Sequence, residues 1–468
     1  VLTIIALGLA ALFFITQNVR ALWILAVACI PFSSEIVVEI PIQATNLPVL
    51  FFPTDFLAGI TSGFIFLSLP FLASRREKKP EVRQSKIFIF VALYFMWMTF
   101  STVLSDNFVV SFKFLLIQLS HLLAYGGIGY YLMKQSLTEI ELVYKRYLLV
   151  ALLAVLFVCI VEHWILSFSH ETVDRAIVPF FREHTVYGAF TAWMFVAYFI
   201  LWRSSKLSLG LMAAVLFSML ALFLSYSRGG WLTAVGALLI VPILQWIWGL
   251  RRERALAVLV SAATLSALGI WYLISQGQVW LEDKLSDLLG DSGKRIASSF
   301  DVDRNLSNIG RIHRWIVAWE LFKKEPVKGI GPNTFAEEYH EFKGSSMLFS
   351  NIKKLEVAYA GIHNEYLTAL TEMGIPGLIL IVSIYGLTLY YSFRYAFSSK
   401  EKRDRIIGLL VAVPLLSYYL HAFINNFMDH GKMAALIYLH WGAAMALEVN
   451  LRKKHPHNPL EYEPKSHK

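Results

Sequence analysis

Apolar runs of 17 to 22 residues recur along this chain of 468 residues, and they constrain its fold more than any other feature. Each is long enough to cross a hydrocarbon core about 30 Å thick. Backbone groups inside such a core must be satisfied within the segment, so the runs are expected to be helices. Composition agrees: 57% of the residues are hydrophobic and only 16% charged, against about a quarter charged in soluble domains. Mean hydropathy is +0.56. About thirteen spans are expected, at 1–16, 21–34, 54–73, 86–104, 109–132, 147–167, 185–202, 207–224, 230–249, 255–274, 375–393, 406–427 and 434–449. The expected fold is therefore an all-α integral membrane protein, a bundle of about 12–13 transmembrane helices with one large helical loop outside the bilayer.

Charge sets the orientation. The net charge of +9 could suggest a nucleic-acid partner, but most Lys and Arg lie in short loops between apolar runs, which reads as topology. One set of loops carries about 25 positive residues, among them SRREKKPEVRQSK, the RRER of 251–254, SSKEKRDR at 398–405 and the tail beginning LRKK. The opposite short loops carry only Arg175, Arg182, Arg228 and Lys432. The first set is expected to face the cytoplasm. The polar segment from about Ser275 to Gly361 then faces outward, since long loops translocate whatever their charge. The expected organisation is a first bundle part at 1–274, the loop at 275–362, the site helix and last spans at 363–450, and a cytoplasmic tail at 451–468. Cys29 and Cys159 both sit in apolar segments, so no disulfide framework is expected in the loop. The first apolar run lacks a basic leader and is closely followed by another, which does not fit a cleavable signal peptide.

Within the loop, GRIHRWIVAWELFKKEP reads as an amphipathic helix, with Ile312, Trp315, Ile316, Trp319 and Phe322 in one arc. Pro326 and the GIGPN turn stop it. On the wheel Arg311 falls inside that arc, His313 on the opposite face and Arg314 at the edge. A guanidinium on a packed face needs partners, although a snorkelling anchor at a membrane surface has the same pattern. Arg228, in SYSRGGW, lies on the outer side against the charge bias and reads as a ligand group or an interfacial anchor. The stretch GIHNEYLTALTEMGIPGL opens with His363, a helix cap or a base, with Asn364 a suitable N-cap. It breaks at Gly374 and Pro376 before the next apolar run. Further outward polar groups are Arg182 and His184, Lys113 with His121, and His421 with Asn425. Zinc-ligand spacing and phosphate-cradling glycine loops do not occur. Asp301, Asp303 and Asn305 resemble half a calcium loop, but Leu306 stands where glycine is needed and Ile312 where glutamate is.

The order SYSRGGW, GRIHRW…KEPVKGIGPNTF, HNEYLTALTEMGIPGL resembles the O-antigen ligase and O-antigen polymerase superfamily over residues 225 to 378. The resemblance implies a dozen or so membrane helices beneath one large periplasmic loop in a bacterial inner membrane. It implies glycan transfer from an undecaprenyl-diphosphate carrier to an acceptor hydroxyl, with no cofactor, metal or nucleic acid. Its arginines fall on Arg228 and on Arg311, four residues before Trp315, and its histidine on His363. Candidate substrate-binding residues beside them are Arg182, His184, Lys113, Arg314, Asn364 and Tyr366. Charge develops on the leaving phosphate as the glycosyl bond breaks, and fixed guanidiniums suit it. A base titrating near pH 6–7 would activate the acceptor in an inverting displacement. An O-antigen ligase acting on lipid A–core is the expected activity. A repeat-unit polymerase and a protein O-glycosyltransferase share its motifs, and a transporter is the reading from another class. Transporters place sites near the midplane between internal repeats, whereas the charged residues here gather at one face and no repeat is evident.

Overall fold

The computed structural model describes residues 19–33, 36–42, 45–51, 58–59, 62, 85–205, 208–249, 306–339 and 361–454. Among them eight helices are long and apolar enough to cross a membrane, with two shorter apolar helices beside them. In chain order these are α1 (Val19–Ala28), α2 (Lys86–Val103), α3 (Phe108–Gln135), α4 (Thr138–Ile165), α5 (His184–Ser204), α6 (Leu209–Leu224) and α7 (Arg228–Trp248). The extramembrane α8 (Leu306–Lys324) follows, then α9 (Glu365–Ser398), α10 (Lys402–His421) and α11 (Gly431–Lys454). The protein is an all-α integral membrane protein; among the described residues its strands form one antiparallel hairpin, β1 (Ile36–Ile42) and β2 (Thr45–Phe51), in register from Ile36↔Phe51 to Ile42↔Thr45. The hairpin lies between the expected spans at 21–34 and 54–73. The expected spans at 1–16 and 255–274, nearly all of 54–73, and the calcium-like Asp301–Asn305 stretch lie outside the described residues.

Helix α11 is the centre of the bundle, buried almost throughout and packed against α2, α3 and α9. Helix α5, the next most enclosed, packs on α6, α7 and α10. At the contact of α4, α5 and α11 buried polar side chains pair with one another, as a low-dielectric setting favours. The Tyr144 hydroxyl and His440 Nε2 lie 2.8 Å apart, and Trp193 donates to Tyr144 at 3.0 Å.

The charged groups separate to the two ends. At one end Arg20 pairs with Glu139, while Lys145 and Arg403 reach Glu141 at 3.0 and 3.2 Å. There too Glu448 caps α2, accepting from the Ser85 hydroxyl at 2.6 Å and from the Lys86 amide at 2.8 Å. These three cations come from the loops and helix ends expected to face the cytoplasm. At the other end Lys432 is a structural rivet: it donates to the Pro31 and Phe180 carbonyls at 2.9 Å each and sits 3.7 Å from the Phe181 ring centroid.

Candidate functional site

Helix α8 lies along the start of α9 and is fastened there by a small core of its own. Val317, Ala318 and Leu321 pack with Phe335, Tyr339 and Ile362. Trp315 donates from Nε1 to the Ile362 carbonyl at 3.1 Å, beside His363. The amphipathic helix is present, but the sequence reading of its faces needs correction. The side that packs on protein carries His313, Val317, Ala318 and Leu321, with Arg314 among them, while Ile316 and Trp319 are 46% and 49% exposed. His313, expected on the opposite face, is buried with Nδ1 2.8 Å from the Tyr339 hydroxyl. An apolar arc shows which face avoids water, and beside a bilayer that need not be the face that meets protein.

Pro326 and the GIGPN turn then dock into the break in α9. Gly374 takes φ 68° and ψ −171°, so α9 is two helices joined at a kink. A kink frees backbone groups, and buried ones need partners. Here each is met from elsewhere in the chain. The Thr371 carbonyl accepts from the Ile330 amide, that of Glu372 from the Gly331 amide, and that of Met373 from Trp97 Nε1 at 2.7 Å. The Ile375 amide donates to the Pro326 carbonyl at 3.0 Å. A Cβ on Gly374 would sit 2.1 Å from the Val327 carbonyl oxygen, so glycine is required for both space and φ. The Glu372 carboxylate adds the Asn333 amide at 2.7 Å. The turn also rests on the α2–α3 hairpin, where Ser111 donates to the Pro332 carbonyl at 2.9 Å.

Arg228 opens α7, whose N-cap Ser227 accepts from the Gly230 amide. The start of α7 lies close to α10: a Cβ on Gly229 would be 3.2 Å from both Cε1 and Nε2 of His421. His363 is held at φ 56° by the α10–α11 loop, its amide donating to Asn426 Oδ1 at 3.0 Å and its Nδ1 lying 3.1 Å from Asn425 Oδ1. The structure brings Arg228, Arg311, Arg314 and His363 into one electrostatic neighbourhood. Burial, then Arg228 and Arg314, lower Arg311 to about 10, which leaves it charged at neutral pH. Burial lowers Arg314 as well, against the opposing fields of Tyr339 and Glu183. Burial and then Arg314 lower His363 to about 4, with Arg311 and His430 adding and the Asn425 hydrogen bond opposing. The expectation of a histidine titrating near 6–7 is thereby corrected: the ring is neutral at physiological pH. Mutually repelling cations held beside a neutral imidazole are suited to an anion next to a proton acceptor.

The remaining expected residues divide. His184 is tied to Asp174, whose Oδ1 accepts from the His184 amide at 2.7 Å and lies 3.1 Å from Nδ1. Arg182 is exposed two residues before it. Lys113 is exposed on α3, and no described contact links it to the arginines. Asn364 is the α9 cap, accepting from the Leu367 amide and donating to the Phe423 carbonyl, both at 3.0 Å. Tyr366 donates its hydroxyl to the Tyr419 carbonyl at 2.9 Å. These two side chains position His363's helix with the polar groups that would otherwise meet a substrate. Sequence reasoning did not find Asn426 or Glu183, and it noted His421 and Asn425 without joining them to His363. Their signal was an i, i+4 polar pair closing an apolar helix. Among the described residues, no three His, Cys, Asp or Glu side chains converge as a metal site would need.

Comparison with known proteins matches this region. Residues 212–382, which contain Arg228, α8 and His363, fit the family described as O-Antigen ligase. An uncharacterized protein of Haemophilus influenzae is 21% identical over 235 residues, 50% of this chain. The match spans 56% of that relative's length. The segment that builds the arginine–histidine cluster is thus the part of the chain that is similar to the O-antigen ligase family.

Proposed function

We propose that this protein transfers a glycan from an undecaprenyl-diphosphate carrier to an acceptor hydroxyl, as an O-antigen ligase-like enzyme of a bacterial inner membrane. The observation that carries the reading is a neutral His363 beside Arg314 and Arg311, with Arg228 in turn beside Arg311. The acceptor oxygen attacks the anomeric carbon with inversion, its proton passes to His363, and the glycosyl–oxygen bond breaks with its electron pair going to the diphosphate. Arg228 and Arg311 hold the diphosphate and take up the charge that develops as that bond breaks. Arg314 extends the cationic surface. The bias of positive residues toward the opposite loops supports a site on the periplasmic face. A lipid A–core acceptor makes the protein a ligase, and a second repeat unit would make it a polymerase.

The test is purified protein with undecaprenyl-diphosphate-linked oligosaccharide and, in separate reactions, lipid A–core or a second lipid-linked repeat. Ligated product of inverted anomeric configuration is expected with lipid A–core. Arg228→Lys and Arg311→Lys should each lower kcat/KM by about 10²-fold or more, because an ammonium cannot reproduce bidentate guanidinium–phosphate geometry. His363→Ala should cost about 10²–10⁴-fold. Transfer to the second repeat alone would replace ligation with polymerisation. Solute uptake in vesicles without glycosyl transfer would overturn the enzyme reading.

A further inference from the structure

We infer that Thr233, His421 and Asn425 form a polarised hydrogen-bond relay that fixes the tautomer of His363 with its proton on Nδ1 and the lone pair on Nε2. The inference deepens the proposed function, since it rests on His363 acting as the base there.

The relay crosses three elements. Thr233 lies on the second turn of α7, His421 ends α10, Asn425 follows in the α10–α11 loop, and His363 precedes α9. Thr233, His421 and Asn425 are buried. Thr233 Oγ1 lies 3.5 Å from His421 Nδ1, His421 Nε2 lies 2.9 Å from Asn425 Nδ2, and Asn425 Oδ1 lies 3.1 Å from His363 Nδ1. Its direction follows from its first member. A hydroxyl has one hydrogen, and that of Thr233 is given to the Gly229 carbonyl at 2.8 Å. Toward His421 the hydroxyl therefore accepts, which puts the His421 proton on Nδ1 and leaves Nε2 to accept from the Asn425 amide nitrogen. The Asn425 amide oxygen, an acceptor only, then requires a proton on His363 Nδ1. Nε2 remains as the basic nitrogen. Reversing any link reverses all of them and would leave the Thr233 hydroxyl bonding two acceptors with one hydrogen.

Two further contacts bind the relay to the site. His421 lies against Gly229, next to Arg228, so the start of α7 sets both an arginine of the cluster and the origin of the relay. Asn426, next to Asn425, holds the His363 backbone. Thr233, His421 and Asn425 are thus positioning residues: they act on the acceptor only through the imidazole. Among the described residues, the charged and titratable groups facing His363 are Arg311 and Arg314 from α8 and His430 from the loop before α11, with His421 from α10 and Asp429 reached through Asn425 and Asn426.

The experiment is nitrogen NMR of the full-length protein labelled with ¹⁵N-histidine, the His363 signals being identified by their loss in His363→Gln. In the wild type at pH 7, a protonated Nδ1 and an unprotonated Nε2 are expected. Asn425→Leu should move protonation toward Nε2, and Asn425→Asp, whose carboxylate also accepts, should keep it on Nδ1. In the transfer assay Asn425→Leu should lower kcat by about 10²–10⁴-fold, from the contribution of a general base up to the loss on mis-tautomerising a histidine base. Asn425→Asp should recover most of that loss and move the acid limb of the pH profile upward, because a carboxylate stabilises the imidazolium. A wild-type His363 protonated at Nε2, or a tautomer unchanged in Asn425→Leu, overturns the relay whether or not glycosyl transfer is observed. The expected tautomers without any transfer would uphold the relay and count against the proposed reaction.

Discussion

A histidine that is buried, and that shares its surroundings with Arg314, Arg311 and His430, gives up its proton early, and this makes His363 measurable in its own right. The base form is the neutral one, so a depressed value keeps the site active to lower pH. The profile of kcat/KM, which reports the free enzyme, should be flat from neutrality down to about pH 5 and fall as Nε2 protonates around the site's value of about 4. An unperturbed histidine would fail near 6.5. Arg314→Gln removes the largest charge acting on the ring and should raise the acid limb, leaving the part due to burial. A bound diphosphate favours the imidazolium, so the limb in kcat should lie above that in kcat/KM. An acid limb of kcat/KM at 6–7 in the wild type, unmoved by Arg314→Gln, would mean that these cations do not act on the base. The sequence singled out His363 only through its resemblance to a family motif, since a histidine opening an outward helix is by itself a cap or a base. It was not enough for its protonation, since the groups that set it come from α8 and from the α10–α11 loop.

Among the elements, the kink in α9 is the feature that sequence reading located most closely. GIP after a run of helix-forming residues marks a break, and Gly374 carries it. What the sequence did not contain was the partner, since KEPVKGIGPN supplies the missing hydrogen bonds from 40 or so residues upstream. Gly374→Ala should therefore destabilise by more than the about 1–3 kcal/mol of a strained backbone, because the added methyl also meets the Val327 carbonyl. Thermal unfolding in detergent measures this, and a change within about 0.5 kcal/mol, the range of a neutral surface substitution, would remove Gly374 from that role. Helix α8 provides the complementary case. Its period was legible but its packed face was not, because an apolar arc cannot distinguish lipid from protein. Leu321→Ala, in the small core, should cost about 2–5 kcal/mol. Trp319→Ala, half-exposed, should cost far less despite the larger side chain removed. Equal losses would restore the aromatic arc as the docking face.

For the whole molecule, hydropathy alone gives the class of fold, and the charge bias of the loops anticipates the separation of the Arg20, Lys145, Arg403 and Arg452 ion pairs from the Arg228, Arg311 and Arg314 cluster. Beyond that point composition is silent, because convergence of α7, α8 and the α9 start depends on buried contacts distant in sequence. The two ends also differ in how they treat charge. At the first, carboxylates meet the cations and ion pairing can add to stability. At the second, Arg311 is held below its ordinary value by burial and by Arg228 and Arg314, so its charged form is worse off folded than unfolded. A binding site arranged this way gives up stability until an anion occupies it. Pyrophosphate should accordingly raise the Tm of the wild type in detergent, while a neutral oligosaccharide of the same concentration should not. Arg311→Met removes the repulsion and the anion's partner together. Its unliganded Tm should be no lower than that of the wild type, and its shift with pyrophosphate should largely disappear. An arginine that serves the fold would show the reverse, a lower Tm without ligand and an undiminished shift, so the pair of measurements separates a site under electrostatic strain from a structural cation.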